Sequence, residues 1–229
     1  HLIDKSQSTG VSKFIFASTC SNYGKMNDPK AFVDENSKLA PISLYAELKV
    51  KFENYLLKEM KRRDGFSPTS LRFSTVYGLS PRMRFDLTVN EFTKELALGK
   101  ELVIFGKQFW RPYCHVKDFA NAFITVLEAP ENKVAFNVFN VGDTKENYTK
   151  EMIVEEIKKI ISNPKIKYIY KNEDPRDYRV NCDKIQKELG FKISMTVPLG
   201  IKEIKNVIQQ KLIQYPESQK YYNIPHEED

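Results

Sequence analysis

The sequence predicts an α/β protein built on a parallel sheet, and three observations carry that prediction. The apolar run Lys13-Phe14-Ile15-Phe16-Ala17-Ser18 has the continuous hydrophobicity of a strand buried on both faces. An amphipathic segment follows, with Tyr45, Leu48, Phe52, Tyr55 and Leu56 recurring at helical spacing. A β-rich run from Pro68 to Tyr77 comes next, so strand, helix and strand alternate in the order that builds parallel pairing.

A turn-rich stretch from Cys20 to Pro41, holding Asn22-Tyr23-Gly24 and Asn27-Asp28-Pro29, separates the first strand from the helix. Ser43 is placed to cap that helix, which the spacing carries from Leu44 to Arg63, with Gly65 ending it. Asp86 is placed to cap a helix through Leu98, Leu102 to Phe105 reads as a short strand, and Val116 to Leu127 as an amphipathic helix. Val134 to Val141 reads as a strand, Thr149 as the cap of a helix to Ile161, and Ile166 to Tyr170 as a strand. Cys182 to Leu189 reads as a helix with Gly190 at its C-cap, and Leu199 to Ile213 as the last helix. The tail from Tyr215 to Asp229 is expected to be poorly ordered.

At 229 residues, 41% hydrophobic and 29% charged, the chain has the composition of a soluble globular protein rather than a disordered or fibrous one. No apolar run approaches the roughly 18 to 20 residues of a membrane helix, and the opening HLIDKSQSTG lacks the apolar stretch of a signal peptide. The expected location is therefore the cytoplasm, with no membrane partner. Cys20, Cys114 and Cys182 are odd in number and far apart, so neither a disulfide framework nor a metal site is expected, and buried reduced thiols are. The net charge of +6 favours anionic partners. Its densest basic cluster, Lys58, Lys61, Arg62 and Arg63, ends a predicted helix, where cations offset the dipole, so nucleic acid is not the expected partner.

The chemistry starts with Tyr45 and Lys49, four apart on one face of the predicted helix. Bringing a phenol from its usual value near 10 to about 7 takes roughly 4 kcal/mol of preferential stabilisation of the phenolate, which an adjacent ammonium and a cationic ligand can supply. Alone, the spacing is that of an ordinary helix-surface pair. It gains meaning from Ser18-Thr19, which ends a buried strand, where open α/β sheets place their ligands. The Thr19 hydroxyl is then able to bond the same substrate oxygen as Tyr45, the plainer role being a local turn bond. His115 reads as a structural residue at a helix start, opposite Asp118. Asn147-Tyr148-Thr149 matches a glycosylation sequon, but Thr149 as a helix cap accounts for it better.

Several collinear motifs resemble the extended short-chain dehydrogenase/reductase superfamily, and within it the NAD-dependent nucleotide-sugar epimerase/dehydratase family. They are Ala17 to Gly24, Tyr45-Ala46-Glu47-Leu48-Lys49, Leu71 to Gly78, Arg82 to Leu87, Trp110 to Asp118 and Asp174 to Val180. The resemblance runs from about residue 10 to 210. It implies the later part of a Rossmann-like doubly wound parallel sheet over residues 1–80, with a smaller α/β substrate-binding domain, joined by some returning sheet elements, over 81–214. It also implies Thr19, Tyr45 and Lys49 as the catalytic set, with Lys49 lowering the tyrosine pKa and holding the nicotinamide ribose. Phe73 and Thr75 fall where the family lines the nicotinamide end of NAD and the nearby substrate, Ser18 is a further implied cofactor contact, and Arg111 and Arg176 fall where it grips the nucleotide diphosphate. A nucleotide-diphosphate sugar is the implied substrate and a homodimer the implied assembly.

The chain departs from that pattern in two respects. Its nine glycines include no pair spaced GxG or GxxG, so the glycine-rich turn that cradles the dinucleotide pyrophosphate is missing and the chain reads as the later part of a longer protein. Such a chain would leave an apolar sheet edge uncovered. Secondly, the family's sugar dehydratases carry an Asp-Glu pair after the catalytic hydroxyl, where this chain has Cys20-Ser21. The resemblance therefore implies an epimerase of the UDP-glucose 4-epimerase kind acting through a transient keto-sugar. The alternatives are a dehydratase or reductase of the same family, or a binding module without chemistry.

Overall fold

The computed structural model describes residues 1–26, 28, 31–170 and 177–223. Its first sheet is parallel, in the order β1 (Lys13–Thr19), β2 (Ser67–Phe73), β6 (Asn137–Val141). Ser43 caps α2 (Leu44–Asn54) by accepting from the Ala46 N–H, and α2 packs on β1. β1 is only half-buried over its first four residues, as expected of an uncovered edge, yet both of its faces are covered: Phe14 and Phe16 pack on the side of α2, and Ile15 on the side of the helix Val116–Glu128. β2 is buried throughout.

The β-rich run from Pro68 to Tyr77 is two strands, not one. Ser74 breaks it: its hydroxyl donates to the Val141 carbonyl at 2.7 Å, and the chain then enters a second sheet as β3 (Thr75–Tyr77). There β3 pairs parallel with β5 (Trp110–His115), and β5 pairs antiparallel with β7 (Asn147–Thr149). The first half of β5 pairs with β7 and the second half with β3, the change falling at Pro112, which has no N–H to donate. A third, two-stranded parallel sheet joins β4 (Leu102–Phe105) to β8 (Ile166–Ile169).

The helices differ from the expectations at their ends. An unexpected α1 (Leu2–Ser8) buries Ile3 against Leu56, Met60 and Phe66. That same cluster ends the Tyr45 helix early: after Asn54 the hydrogen bonding widens to a π turn over Tyr55–Glu59, and Met60 leaves in an extended conformation. Of the basic cluster only Lys58 is helical, and the Arg62 guanidinium lies 4.1 Å from the Phe136 ring centroid. Asp86 does not cap α3 (Thr88–Ala97). Leu87 occupies that position, and the Asp86 carboxylate pairs with Arg84 at 2.8 Å. Residues 131–134 form a short helix, α5 (Glu131–Val134), so β6 begins three residues later than the apolar pattern suggests. α4 (Val116–Glu128), α6 (Lys150–Lys158, capped by Thr149), α7 (Asp183–Leu189, ended by Gly190 in the left-handed region) and α8 (Val197–Gln209) complete the set. The tail is ordered further than expected, with a 3-10 turn at Gln219–Tyr221 and a buried Tyr222.

His115 is structural, as expected, but not opposite Asp118. Its Nδ1 accepts from the Lys117 N–H at the start of α4, so Nε2 carries the proton and donates to Glu203 Oε2 at 2.9 Å. Asp118 instead accepts from the N–H and Oγ of Ser194, both at 2.8 Å. The His115 ring lies against Gly78, where a Cβ would meet Nε2 at 1.9 Å and φ is +101°.

Inside the first unit, Arg72 and Glu53 form an ion pair at 2.5 Å, both side chains at most 5% exposed. Ser70 Oγ also donates to Glu53 at 2.7 Å, Arg72 Nη1 donates to the Tyr23 hydroxyl at 2.9 Å, and Tyr23 donates to Asn140 Oδ1 at 2.7 Å. Burial opposes charge on Arg72, yet its bonds to Glu53 and Tyr23 hold its pKa above the ordinary value. Burial also raises all three thiols, Cys20 to about 12.

Two outcomes are expected in urea unfolding. Arg72→Met leaves a carboxylate stranded in the core and lowers stability by about 3 to 5 kcal/mol, while Arg72→Met with Glu53→Met recovers at least half of that. Gly78→Ala combines a left-handed backbone with a clash on His115 and costs about 3 kcal/mol.

Candidate active site

The parallel pairing of the first sheet puts Thr19 level with Phe73, so the residues ending β1 and β2 lie at one carboxyl edge. Ser18 and Thr19 are buried there. The Ser18 hydroxyl accepts from Asn22 Nδ2 at 3.1 Å, and Thr19 Oγ1 accepts from the Ser21 N–H at 3.1 Å, capping the 3-10 turn Cys20–Tyr23. The local turn bond anticipated for Thr19 is thus present. It uses only a lone pair and leaves the O–H able to donate.

α2 sets Tyr45 and Lys49 side by side and brings the Lys49 side chain over the same strand. Lys49 Nζ donates to the Ala17 carbonyl at 2.7 Å, lies 4.8 Å from the Phe16 ring centroid, and is 5.6 Å from that of Tyr45. One lysine therefore ties the helix to the strand that carries Thr19 and sets a cation beside the phenol. Burial lowers the Lys49 pKa from its ordinary value. Tyr45 itself is 56% exposed, open to an incoming ligand. Phe73 belongs to the core through its ring, which packs on Phe119 and Phe123 with centroids at 4.2 and 5.3 Å.

Thr75 and Arg111 meet in a cavity of about 240 Å³, lined also by Ser21, Asp86, Thr88 and Lys150 among others. Arg111 Nη1 donates to the Trp110 carbonyl at 2.7 Å, and its guanidinium lies 5.5 Å from the Tyr178 ring centroid. Tyr178 in turn reaches Ser21 Oγ at 3.4 Å, linking the cavity wall to the turn after Thr19. Thr88 and Lys150 are the first residues of α3 and α6, so two helix N-termini open on the cavity together with two cationic side chains. The Met152 and Glu151 N–H groups of α6 are already taken by Thr149 Oγ1 and the Lys107 carbonyl, so what the two helices offer an anion there is the positive ends of their dipoles, beside the Asp86 carboxylate on the same wall. The cavity's Lys150, Thr88 and Tyr178 were not singled out as site residues by the sequence, although the first two occupy helix starts that its patterns locate to within a few residues. Arg176 lies outside the described residues.

Cys20, beside Thr19, is fully buried, and its thiol donates to the Arg72 carbonyl at 3.2 Å. With its pKa raised by burial it offers no acid or base to the site. Among the described residues no group of His, Cys, Asp and Glu side chains is arranged to hold a metal, and no helix is long and apolar enough to cross a membrane.

The chain is similar to known proteins along most of its length. UDP-glucuronate 4-epimerase 5 of Arabidopsis thaliana is 27% identical over 205 residues, covering 82% of this chain and 46% of that protein. A UDP-glucose 4-epimerase of Thermotoga maritima, solved with UDP-glucose, superimposes with a TM-score of 0.77 at 29% identity over 92% of this chain and 68% of that one. A UDP-glucuronic acid 4-epimerase of Bacillus cereus, solved with UDP-glucuronic acid and NAD, does so with a TM-score of 0.73 at 26% identity over 87% of this chain and 62% of that one. The chain spans about half the length of the first curated relatives it matches. A family model matches residues 1–142, well over half of the chain, and the chain accordingly belongs to the NAD dependent epimerase/dehydratase family.

Proposed function

We propose that this chain carries the acid/base and substrate side of an NAD-dependent nucleotide-sugar epimerase, with a UDP-hexose or UDP-hexuronate as substrate. The observation that carries the reading is the cavity in which Thr75, just past the end of β2, faces Arg111, Lys150 and the starts of two helices. A diphosphate fits such a site, and the sugar would then extend toward Thr19 and Tyr45. The names of the relatives supply the uridine nucleotide and the choice between glucose and glucuronate.

The residues present fit one end of a nicotinamide dinucleotide. Lys49, Tyr45 and the edge around Ser18 and Phe73 would hold the nicotinamide ribose, whereas the pyrophosphate has no glycine-rich cradle in this sequence. NAD held there would supply reversible hydride chemistry at the sugar carbon. Tyr45, beside the Lys49 ammonium, takes the proton of the sugar hydroxyl and later gives it back, while the Thr19 hydroxyl donates to the same oxygen. Arg111 and Lys150 fix the diphosphate so that the keto-sugar can present either face. The inert Cys20 speaks against a dehydratase, which needs an additional acid and base beside that hydroxyl. We extend the proposal to the assembly: Leu44 and Leu48 on α2 are 70% and 56% exposed, as a pairing of two copies through the Tyr45 helix would require.

Titration calorimetry of residues 1–229 with UDP, UDP-glucose and UDP-glucuronate tests the substrate side. Uptake is expected, and Arg111→Ala should raise the UDP Kd about tenfold, the loss of one charge-assisted contact. No uptake of any of the three would overturn the assignment. In a chain that also supplies a glycine-rich dinucleotide turn, Tyr45→Phe is expected to lower epimerase turnover about 1000-fold and leave nucleotide affinity within about twofold. Turnover at the unsubstituted rate would remove Tyr45 from the mechanism.

A further inference from the structure

We propose that the segment Gln219 to Asn223 is a latch that holds one wall of the substrate cavity in place, with Lys94 and Tyr222 as its positioning residues. The cavity assignment rests on the reading above, whereas the latch itself rests on contacts outside the cavity.

The wall in question is the stretch ending in Asp86, Leu87 and Thr88, all of which line the cavity. Apart from the last of these, which starts α3, the stretch has no regular structure of its own: residues 79–87 form neither helix nor strand. A loop without ladder bonds needs other partners for its backbone. Asn90 takes the Arg84 carbonyl and Glu203 the Leu79 N–H, and the segment 219–223 holds the end nearest the cavity. The Phe85 N–H donates to the Tyr221 carbonyl at 2.9 Å, and the two rings meet edge to face with centroids 5.5 Å apart. The Asn223 N–H donates to Asp86 Oδ2 at 3.3 Å, the same carboxylate that holds Arg84 at 2.8 Å. Burial works against ionising Asp86, and the bonds from Arg84 and Asn223 outweigh it, keeping its pKa below the ordinary value.

The anchor beneath these contacts is Lys94, on the buried face of α3 and only 1% exposed. Its Nζ donates to the Tyr222 hydroxyl at 2.7 Å and pairs with Glu95. It also lies 5.3 Å from the Phe85 ring centroid and 5.4 Å from that of Tyr222. An ammonium withdrawn from water is costly without such partners. An apolar residue would have served cohesion alone. A lysine gives the segment a docking point, because its ammonium has donors left after Glu95 and the Tyr222 hydroxyl takes one of them. No residue from 219 to 223 lines the cavity, so the influence of the segment on the site passes through Phe85 and Asp86.

The test compares the full chain with Tyr222→Phe, with Lys94→Met combined with Tyr222→Phe, and with a chain ending at Ser218. Two readouts are taken on each: backbone amide exchange and UDP titration. With the chain ending at Ser218, exchange over residues 85–90 is expected to accelerate at least tenfold, while residues 13–19 and 137–141 keep their protection, a local opening rather than global unfolding. The UDP Kd should rise about tenfold in that chain and about fivefold both in Tyr222→Phe and in the double variant, since each lacks the bond that seats the segment, and a double variant with unchanged affinity would remove the two residues from the latch. Unchanged exchange over 85–90 would overturn the latch. So would unchanged UDP affinity in a chain that binds UDP. If the unsubstituted chain takes up no UDP, the diphosphate assignment falls by itself, and the latch is then decided by the exchange data alone.

Discussion

The buried pair of Arg72 and Glu53 is the constraint on which the rest of the first unit depends. Two charges have been taken out of water, and each survives there only because the other is present, with Ser70 donating to the Glu53 carboxylate and Tyr23 accepting from Arg72. The consequence is geometric. Glu53 lies on the Tyr45 helix, Arg72 on the central strand, Tyr23 in the turn after Thr19 and Asn140 on β6. A single polar network thus ties together the helix that carries Tyr45, the central strand, the turn after Thr19 and β6, with a directionality that apolar packing lacks. Lys49 repeats the device at the edge of the same sheet, joining the helix to Ala17.

The second sheet works differently. β5 borrows one neighbour for each of its halves, and the switch at Pro112 lets Arg111 point into a cavity between the starts of α3 and α6. The starts of two helices add partial positive charge to the two cationic side chains at this place, where the Asp86 carboxylate also lines the wall. The tight contact of Gly78 with His115 belongs to the same arrangement, since β3 can lie so close to the start of α4 only where no side chain intervenes.

Much of this is legible in the residues, and the exceptions have physical causes. The alternation of strand and helix, the Ser43 and Thr149 caps and the glycine stop at Gly190 follow from local rules, and each stands where those rules put it. What fails is what depends on distant partners. Nothing near Asn54 announces that the helix will loosen into a π turn, because the cause is the packing of Leu56 and Met60 with Ile3 and Phe66. Ser74 is one more β-compatible residue until Val141 returns to take its hydroxyl. Pro112 disguises β5, and the polar character of 215–223 disguises a segment pinned by a lysine more than a hundred residues earlier. In the candidate site, Thr19, Tyr45 and Lys49 were accessible through their spacing and their family resemblance. Lys150 was not, since its place at the cavity is a property of the assembled sheet.

The three thiols add a practical consequence. Cys20, Cys114 and Cys182 sit in the interior with burial holding each in its protonated form, so the folded chain presents no thiolate to an electrophile. Alkylation can then proceed only in molecules whose interior has parted. Because Cys20 and Cys182 share one apolar cluster and Cys114 lies in another, the order in which the three become modified records which part of the interior separates first. The native cysteines thereby form a reporter of partial opening that requires no label, and the folded surface stays free for a single introduced thiol.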